Sequence, residues 1–479
     1  MTSPRFPRTV TAALCAAVLA GCASGPAYVK PAMELPAAYS ELPGWTQARP
    51  DAEGPKGDWW TAFSDPLLDE LGPQVAVSNQ NVRLAYANYQ KATAAIQAAR
   101  AALFPTLGIN ASASRQQAGS GGPATSKSVQ AAVSWSPDLW GQVRDSVQQS
   151  QALAQVSAAT LANATLSAQV ALATAVMELR VSDENARLLQ RAVDSYRESL
   201  RVVTEQDSAG TVPPSNLYAA RTQLETAQAS LVAVGMARAQ YAHAIAVLVG
   251  KTPEEMQIAP APTMPDLPDV PVGLPSTLLQ RRPDIAAAER QMAADNAAIG
   301  VAHAAFYPSV TLSAAGGLAG ALGASNLIWS LGASLAASIF DGGARSAHLN
   351  EARAQYDASV ASYRGTVLTA LQDVENDLSS LRILQQQHQV LDAAVQDATQ
   401  SARIALNEYE AGTVDYTTLA TAQATQISNQ QSRLNVRLQQ LVSTVTLIGD
   451  LGGGWDAARL DAMVPPHAAD AKRPGSAQP

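Results

Sequence analysis

The chain has 479 residues and a formal net charge of −8, and only 15% of its residues are charged. It carries no basic stripe of the kind that holds nucleic acid. Length alone would suggest about three domains, but an internal repeat replaces that reading.

At the N-terminus Arg5 and Arg8 precede a short apolar run, "TVTAALCAAVLA", from Thr9 to Ala20. That run is too short for a spanning helix and has the length of a signal-peptide core. Residues 1–21 are therefore read as a signal peptide. It ends in "LAGCA", with small residues leading to Cys22, which resembles the bacterial lipobox. The resemblance implies cleavage before Cys22 and acylation of the new N-terminal residue, as in palmitate-bearing lipoproteins. Ala23 in place of Asp then implies the outer membrane. The alternative is an ordinary secretory signal with an incidental cysteine. Cys15 leaves with the signal, so the mature chain holds one cysteine and no disulfide framework. It has no run of eighteen apolar residues, and no transmembrane helix is expected.

After a lipidated segment, 22–72, the chain repeats itself. "NVRLAYANYQKATAAIQAARAALFP" ends at Pro105 and "DIAAAERQMAADNAAIGVAHAAFYP" at Pro308. "DLWGQVR" (Asp138–Arg144) answers "IFDGGAR" (Ile339–Arg345), and "AGTV" occurs at Ala209–Val212 and again at Ala411–Val414, an offset of 202 (411 − 209). The copies are placed at 73–252 and 276–451. The proline-rich stretch between them, 253–275, is read as an extended linker. Residues 452–479 are left as a tail, expected to be mostly disordered.

Each copy reads helix, β-hairpin, long helix, turn, helix. Val360, Val367, Val374, Leu381, Val395, Ala402 and Tyr409 share one seven-residue register, with His388 its only strongly polar member. Subtracting 202 lands on Leu172, Leu179, Ala186, Val193 and Leu200. A continuous helix from Gly141 to Asp207 would be roughly 100 Å long, a coiled-coil length. Many register positions are Ala or Ser, which lets helices approach closely but buries little area in one chain. Assembly side by side would supply the missing burial. The glycine turns make each helix pair an antiparallel hairpin with a tip.

Four segments alternate with period two, at about 106–117, 127–136, 308–317 and 327–338, with Gly/Ser-rich turns between them. Their polar faces are small and uncharged, and Trp135 and Trp329 sit near strand ends as interfacial anchors do. About ten residues suits a tilted membrane strand. Soluble hairpins are the competing reading. Four membrane strands cannot close a barrel, and open edges in lipid leave backbone groups unpaired. Several chains must share one barrel: two would give eight strands, three would give twelve.

With the lipobox and the duplicated layout, "GPAYVKP" (Gly25–Pro31), "DWWTAFSDPLLDEL" (Asp58–Leu71), "LLQRRPDIAAAE" (Leu278–Glu289), "IFDGGAR" and "LGGGW" (Leu451–Trp455) resemble the TolC-like outer-membrane efflux lipoproteins (NodT-type) that serve RND-type multidrug pumps. The resemblance runs from about Cys22 to Trp455. It implies a mainly helical homotrimer with a small β part: a 12-stranded β-barrel in the outer-membrane lipid on a 12-helix α-barrel across the periplasm. It also implies two partners, a periplasmic adaptor (membrane fusion) protein and an inner-membrane RND transporter. The channel itself would be a passive duct for drugs or other small molecules. Two other classes stay open: a type I secretion channel of the same architecture, and a lipid-anchored periplasmic coiled-coil scaffold.

By the same resemblance the glycine turns, at Gly210 and Gly412, are the periplasmic tips where the tube narrows to a gate. The family pattern falls on Tyr409, Gly412, Tyr416, Thr417 and Thr421. Relatives often carry Leu at the position of Thr417 and Asp at that of Thr421, and Asn216 stands where an Asp is common. An acidic ring is therefore not expected from those three positions, and Asp415 or Asp207 is the candidate substitute, with Asp207 read as a solvated helix-end residue. Loosened packing at Tyr416 or Thr417 would make the tip leak. Arg281 and Arg282 are read as structural, since Pro283 and Asp284 suit a helix start. The histidines show no metal spacing and no nearby acid or cysteine. There is no nucleophile–base arrangement, paired catalytic acid or phosphate loop, so no enzyme activity, metal or cofactor is expected.

Overall fold

A computed structural model describes residues 25–41, 58–117, 122–270, 275–321 and 326–463. The signal peptide, Cys22 and residues 464–479 lie outside the described residues. Helix α1 (Pro66–Ser78) begins at Asp65, whose carboxylate accepts from the amides of Leu67 and Leu68. After α2 (Gln80–Ala101) come β1 (Thr106–Gln116) and β2 (Ala124–Trp135), then α3 (Gln142–Ser208) and α4 (Pro214–Leu248). The second copy supplies α5 (Pro283–Ala304), β3 (Ser309–Ala321), β4 (Asn326–Ala336), α6 (Ala344–Glu410) and α7 (Tyr416–Asp450). The copies match in length: 22 residues in α2 and α5, 67 in α3 and α6, and 35 in α4 and α7.

The short helices of each copy abut end to end, so two of them run as one column beside a long helix. In the first copy Asn79 caps α2 by accepting from the amides of Asn81 and Val82, and its Nδ2 donates to the last turn of α4 at Leu248 O, 2.9 Å. In the second, Arg282 occupies the equivalent place (282 − 79 = 203). Its guanidinium reaches Asp450 at the end of α7, 3.1 Å away, and Asp284 in the first turn of α5. Gly250 and Gly452 close these junctions with φ of +73° and +96°. A Cβ there would lie 2.4 Å from Ser78 O and 2.1 Å from Arg281 O, so only glycine fits.

Neighbour contacts order these columns as α2/α4, α3, α5/α7, α6. The four strands are antiparallel in the order β1-β2-β3-β4, and all helices leave from one end of the sheet. Pairing of β2 with β3 joins the two hairpins, with Trp135 opposite Leu312 and Ser126 opposite Ala321. Strand β3 runs past its expected end near Gly317, and Leu318–Ala321, expected as part of a Gly/Ser-rich turn, is strand. Gly316 and Gly317 take strand places opposite Ala131 and Gln130, and a Cβ on Gly317 would meet Val129 O at 2.1 Å.

Two apolar clusters hold the wall together. Trp59, Phe63 and Leu68 pack on Leu172 and Val176 of α3 and Leu441 and Val445 of α7. Met292 of α5 packs with Tyr363, Val367 and Val374 of α6. Asp65 and Arg180 form a buried ion pair at 2.7 Å that fastens the start of α1 to α3. The heptad positions Val367, Val374, Leu381, Val395, Ala402 and Tyr409 are all buried. The start of the tail is ordered rather than disordered: Ala458–Met463 is helical, and Leu460 packs on Ala158 and Ala159.

Alanine makes one 18-residue window of α3 and one of α4 apolar enough to cross a bilayer, with mean hydropathy of 1.3 and 1.4. The α4 window is only 11% buried, so it is an uncovered face of the helical wall. The histidine expectation also changes, because His348 lies 3.3 Å from Glu351 and His388 3.3 Å from Asp392 along their helix.

The second splice concentrates acid. Asp373 and Asp377 on α6 and Asp450 on α7 gather around the single cation of Arg282. Burial, then the neighbouring Asp450 carboxylate, push Asp377 up to about 8. The folded state therefore holds a proton that the unfolded chain releases near pH 4. This contribution to stability is complete below that pH and is lost as pH rises through about 8. Thermal unfolding of the purified protein should shift to lower temperature between pH 6.5 and 9. Asp377→Asn should flatten that dependence, and an unchanged slope in the variant would remove Asp377 as its source.

Candidate functional site

Two regions hold the residues singled out in the sequence: the helical tips and the sheet. At the tips Gly210 and Gly412 adopt φ of +69° and +71°, which lets the chain reverse after α3 and α6. Tyr409 and Tyr416, either side of the second turn, pack edge to face with ring centroids 5.7 Å apart. Both are buried, with Val203, Ala220, Ala405 and Leu419. Their hydroxyls cross to the first hairpin: Tyr409 donates to Gln206 Oε1, and Tyr416 to Gln223 Oε1 at 2.9 Å. Burial pushes the Tyr416 phenol up to about 12, so it stays a neutral donor. About two turns further on, Gln423 Nε2 donates to Ser199 Oγ at 3.2 Å. The two tips are thus stitched together by side chains of the second copy.

The first copy has no counterpart to this stitch. Tyr409 corresponds to Asp207 and Tyr416 to Pro214, at the offset of 202. Asn216 is half-buried in the first turn of α4. Asp415 caps α7, accepting from the Thr418 amide at 2.9 Å and the Thr418 hydroxyl at 2.8 Å. Those bonds, the amide's first, hold its carboxyl below the usual range.

Thr417 differs from the expectation that it packs the tip. It is exposed, because one residue along a helix turns about 100° away from Tyr416. Thr421 follows on the same face, and its hydroxyl donates to Thr417 O at 2.7 Å. Both line an open groove between α6 and α7 whose carboxylates come from Asp397, Glu408 and Asp415. The glutamines that receive the tyrosine hydroxyls carried no signal in the sequence, since Gln is abundant throughout these helices.

In the sheet, strand register sorts side chains cleanly. Leu107, Val133, Ala314 and Leu331 lie in one cross-strand row, and Ile109, Ala131, Gly316 and Trp329 in another, all on one face. The other face carries Asn110, Gln130, Ser112 and Ser128, with the two serine hydroxyls 2.8 Å apart. Leu107, Ile109, Leu327, Trp329 and Leu331 are each more than 70% exposed. Among the described residues no core covers that face, which argues against soluble hairpins packed on their own chain.

The two tryptophans fall at opposite ends of this face. Trp135 ends β2 beside the helices, and its Nε1 donates to Leu103 O at 3.0 Å. Trp329 is the fourth residue of β4, nearer the outer turn. A further aromatic clasp at the helix end was not anticipated. Trp140 stacks on Tyr307 at 5.0 Å and donates to Pro308 O at 2.6 Å, tying the first copy to the start of β3.

Residues 71–251 and 274–453 match the family described as Outer membrane efflux protein. The efflux pump outer membrane protein TtgC of Pseudomonas putida, named as probable, is 31% identical over 459 residues, 92% of this chain and 95% of its own. The pyoverdine export outer membrane protein OpmQ of Pseudomonas aeruginosa is 30% identical over 467 residues, 92% of this chain and 96% of its own. Among solved structures, the outer-membrane channel OprN superposes with a TM-score of 0.83 at 29% identity, covering 90% of this chain and 99% of that one. The open state of the Neisseria gonorrhoeae MtrE channel gives 0.80 at 26%, covering 91% and 99%. A duplicated four-strand, four-column protomer, matched over nine-tenths of its length, places the chain in the outer membrane efflux protein family.

Proposed function

We propose that three copies of this chain close into a passive duct that carries drugs or other small molecules from the periplasmic side to the outside. The observation that carries this reading is a shared pair of open edges. Strands β1 and β4 end the sheet on either side, and columns α2/α4 and α6 end the helical wall on the same two sides. The helical edges bear uncovered apolar residues, among them Leu84, Val232 and Met236 on one side and Leu368 and Val390 on the other. Joining β4 to the next copy's β1 pairs every edge, and three copies give the twelve strands that the family resemblance implies. Heat-modifiable trimers should appear in outer-membrane detergent extracts and conduct in planar bilayers, and deletion should sensitise cells to exported compounds. Monomers without conductance would refute the duct.

The tips serve as the gate in this reading. Gly210 and Gly412 form the turns, and Tyr409 and Tyr416 hold the two hairpins together. Asn216, Thr417 and Thr421 leave the charge near the mouth to Asp415 and its neighbours. The tip face meets a periplasmic adaptor, which couples the duct to an inner-membrane RND transporter. The efflux and export names of the relatives favour this cargo class over secreted protein. Tyr416→Ala removes a side chain that is 1% exposed and should cost about 3–5 kcal/mol at the tip. It should raise the resting conductance of the channel, whereas Tyr416→Phe, which loses one hydrogen bond worth about 1 kcal/mol, should raise it less. Equal, wild-type conductance in both would count against a gate here.

Cys22 anchors the chain in lipid. Gly25, three residues on, lies against Gly300 and Asp145, where a Cβ would sit 3.0 Å and 3.1 Å from them. Gly300 is in the last turns of α5 before β3, and Asp145 is in the first turn of α3 after β2. From there residues 25–41 run along α5 and α6, held by Tyr28 on Glu289 and by Glu41 on Arg382. The described N-terminal stretch thus begins beside the junction between strands and helices, which supports an anchor at the lipid surface. Cys22→Ser should abolish incorporation of radiolabelled palmitate, and retained label would exclude this acylation site.

A further inference from the structure

Beyond the duct itself, we infer that Arg115 and Lys127 form a binding site for the phosphates of an anionic outer-leaflet lipid. The membrane sheet and its turns, residues 106–136 and 309–336, contain only these two charged side chains, and no Asp or Glu. Both are cations in a chain whose net charge is −8. Both are exposed, and both lie at the end of the sheet remote from the helices.

Register puts them on the apolar face. Along β1 that face reads Leu107, Ile109, Ala111, Ala113, Arg115, and along β2 it reads Trp135, Val133, Ala131, Val129, Lys127. Lys127 stands opposite Ala113, so Arg115, two residues on, is its diagonal neighbour. Diagonal pairs are about 7–8 Å apart, a spacing at which two long side chains can grip one phosphate. Eight residues from Trp135 to Lys127 span about 26 Å of strand. At a tilt near 40° this is about 20 Å of height, close to the edge of an apolar band about 25 Å tall.

Two like charges so placed repel each other and have no carboxylate of their own strands to neutralise them. A lumen-facing pair would attract passing solutes, but these face outward, where only lipid can meet them. An anionic headgroup supplies the missing charge, and the guanidinium adds a fork suited to phosphate. The inference rests on the outward assignment of the apolar face in the proposed barrel.

The test measures the dissociation temperature of the full-length trimer in detergent with added lipid A carrying both phosphates. It should rise by several degrees, and dephosphorylated lipid A of the same acyl composition should leave it unchanged. In Arg115→Gln/Lys127→Gln the rise should be lost while conductance stays at wild type. The charge-keeping Arg115→Lys/Lys127→Arg should retain it. Equal stabilisation by the dephosphorylated lipid, an undiminished rise in the glutamine variant, or reproduction of the rise by inorganic phosphate alone would overturn the assignment. Failure of the wild type to form conducting trimers would instead strike the barrel reading.

Discussion

In hydrocarbon an unpaired backbone N–H or C=O costs several kcal/mol, and the four-stranded sheet leaves two rows of them, along β1 and β4. Among the described residues no strand pairs with either row. The same chain leaves two apolar helical edges in register with them. Water tolerates the helical edges poorly, and lipid does not tolerate the strand edges at all. Membrane pairing is therefore the stricter demand, and the helical wall must follow whatever closure the strands adopt. Rich alanine seams fit that subordination, because small side chains let columns meet at the spacing that the proposed barrel would set.

Duplication solves the geometric problem of matching strands to helices. Each copy sends two strands into the membrane but has three helices, one long and two short. Stacking the short ones end to end gives two columns for two strands, so sheet and wall stay in step. The splice is where the copies diverge chemically. Asn79 does the work with one amide, satisfying an amide donor set on one side and a carbonyl on the other. Arg282 does it with a cation, and that cation draws in Asp284, Asp373 and Asp450. Arg282 in place of Asn79, with Asp284, Asp373 and Asp450 where the first copy has Asn81, Ala171 and Leu248, makes the second junction an acid-rich knot with its own dependence on pH.

Most of the architecture was legible because its signals are periodic and appear twice. The heptad from Val360 to Tyr409 marked the buried seam of α6, and the offset of 202 carried it to α3. Period-two alternation located all four strands. The expected end of β3, near Gly317, falls four residues short of Ala321, because the Gly- and Ala-rich stretch that follows reads as turn. Gly317 is a strand residue where the neighbouring backbone lies too close for a Cβ. Cross-copy contacts were not legible at all. The pairing of β2 with β3, the Trp140–Tyr307 clasp and the glutamines under Tyr409 and Tyr416 join positions some 170–200 residues apart, and no local pattern encodes such partners. Thr417 illustrates the limit within the tip. A motif assigns it a place beside Tyr416, but helix rotation decides which of the two is buried.

The tip combines weak joints with a single strong one, and that balance follows from its position. Around the turns, Thr421 bonds only within its own helix and Asp415 only to its own cap. The cross-hairpin bonds come from two tyrosines, three glutamines and a serine, all neutral. A charged stitch at that place would be screened by salt in the periplasm and would respond to the charge of passing solutes. Neutral hydroxyl-to-amide bonds shielded by an aromatic pair are indifferent to both. In the proposed gate they would hold the hairpins until a displacement separates the helices, and would re-form without the desolvation cost of an ion pair. The acidic residues sit outside this stitch, on the open groove of Asp397, Glu408 and Asp415. In the proposed duct their charge would act on what enters the mouth while leaving the stitch itself unaffected.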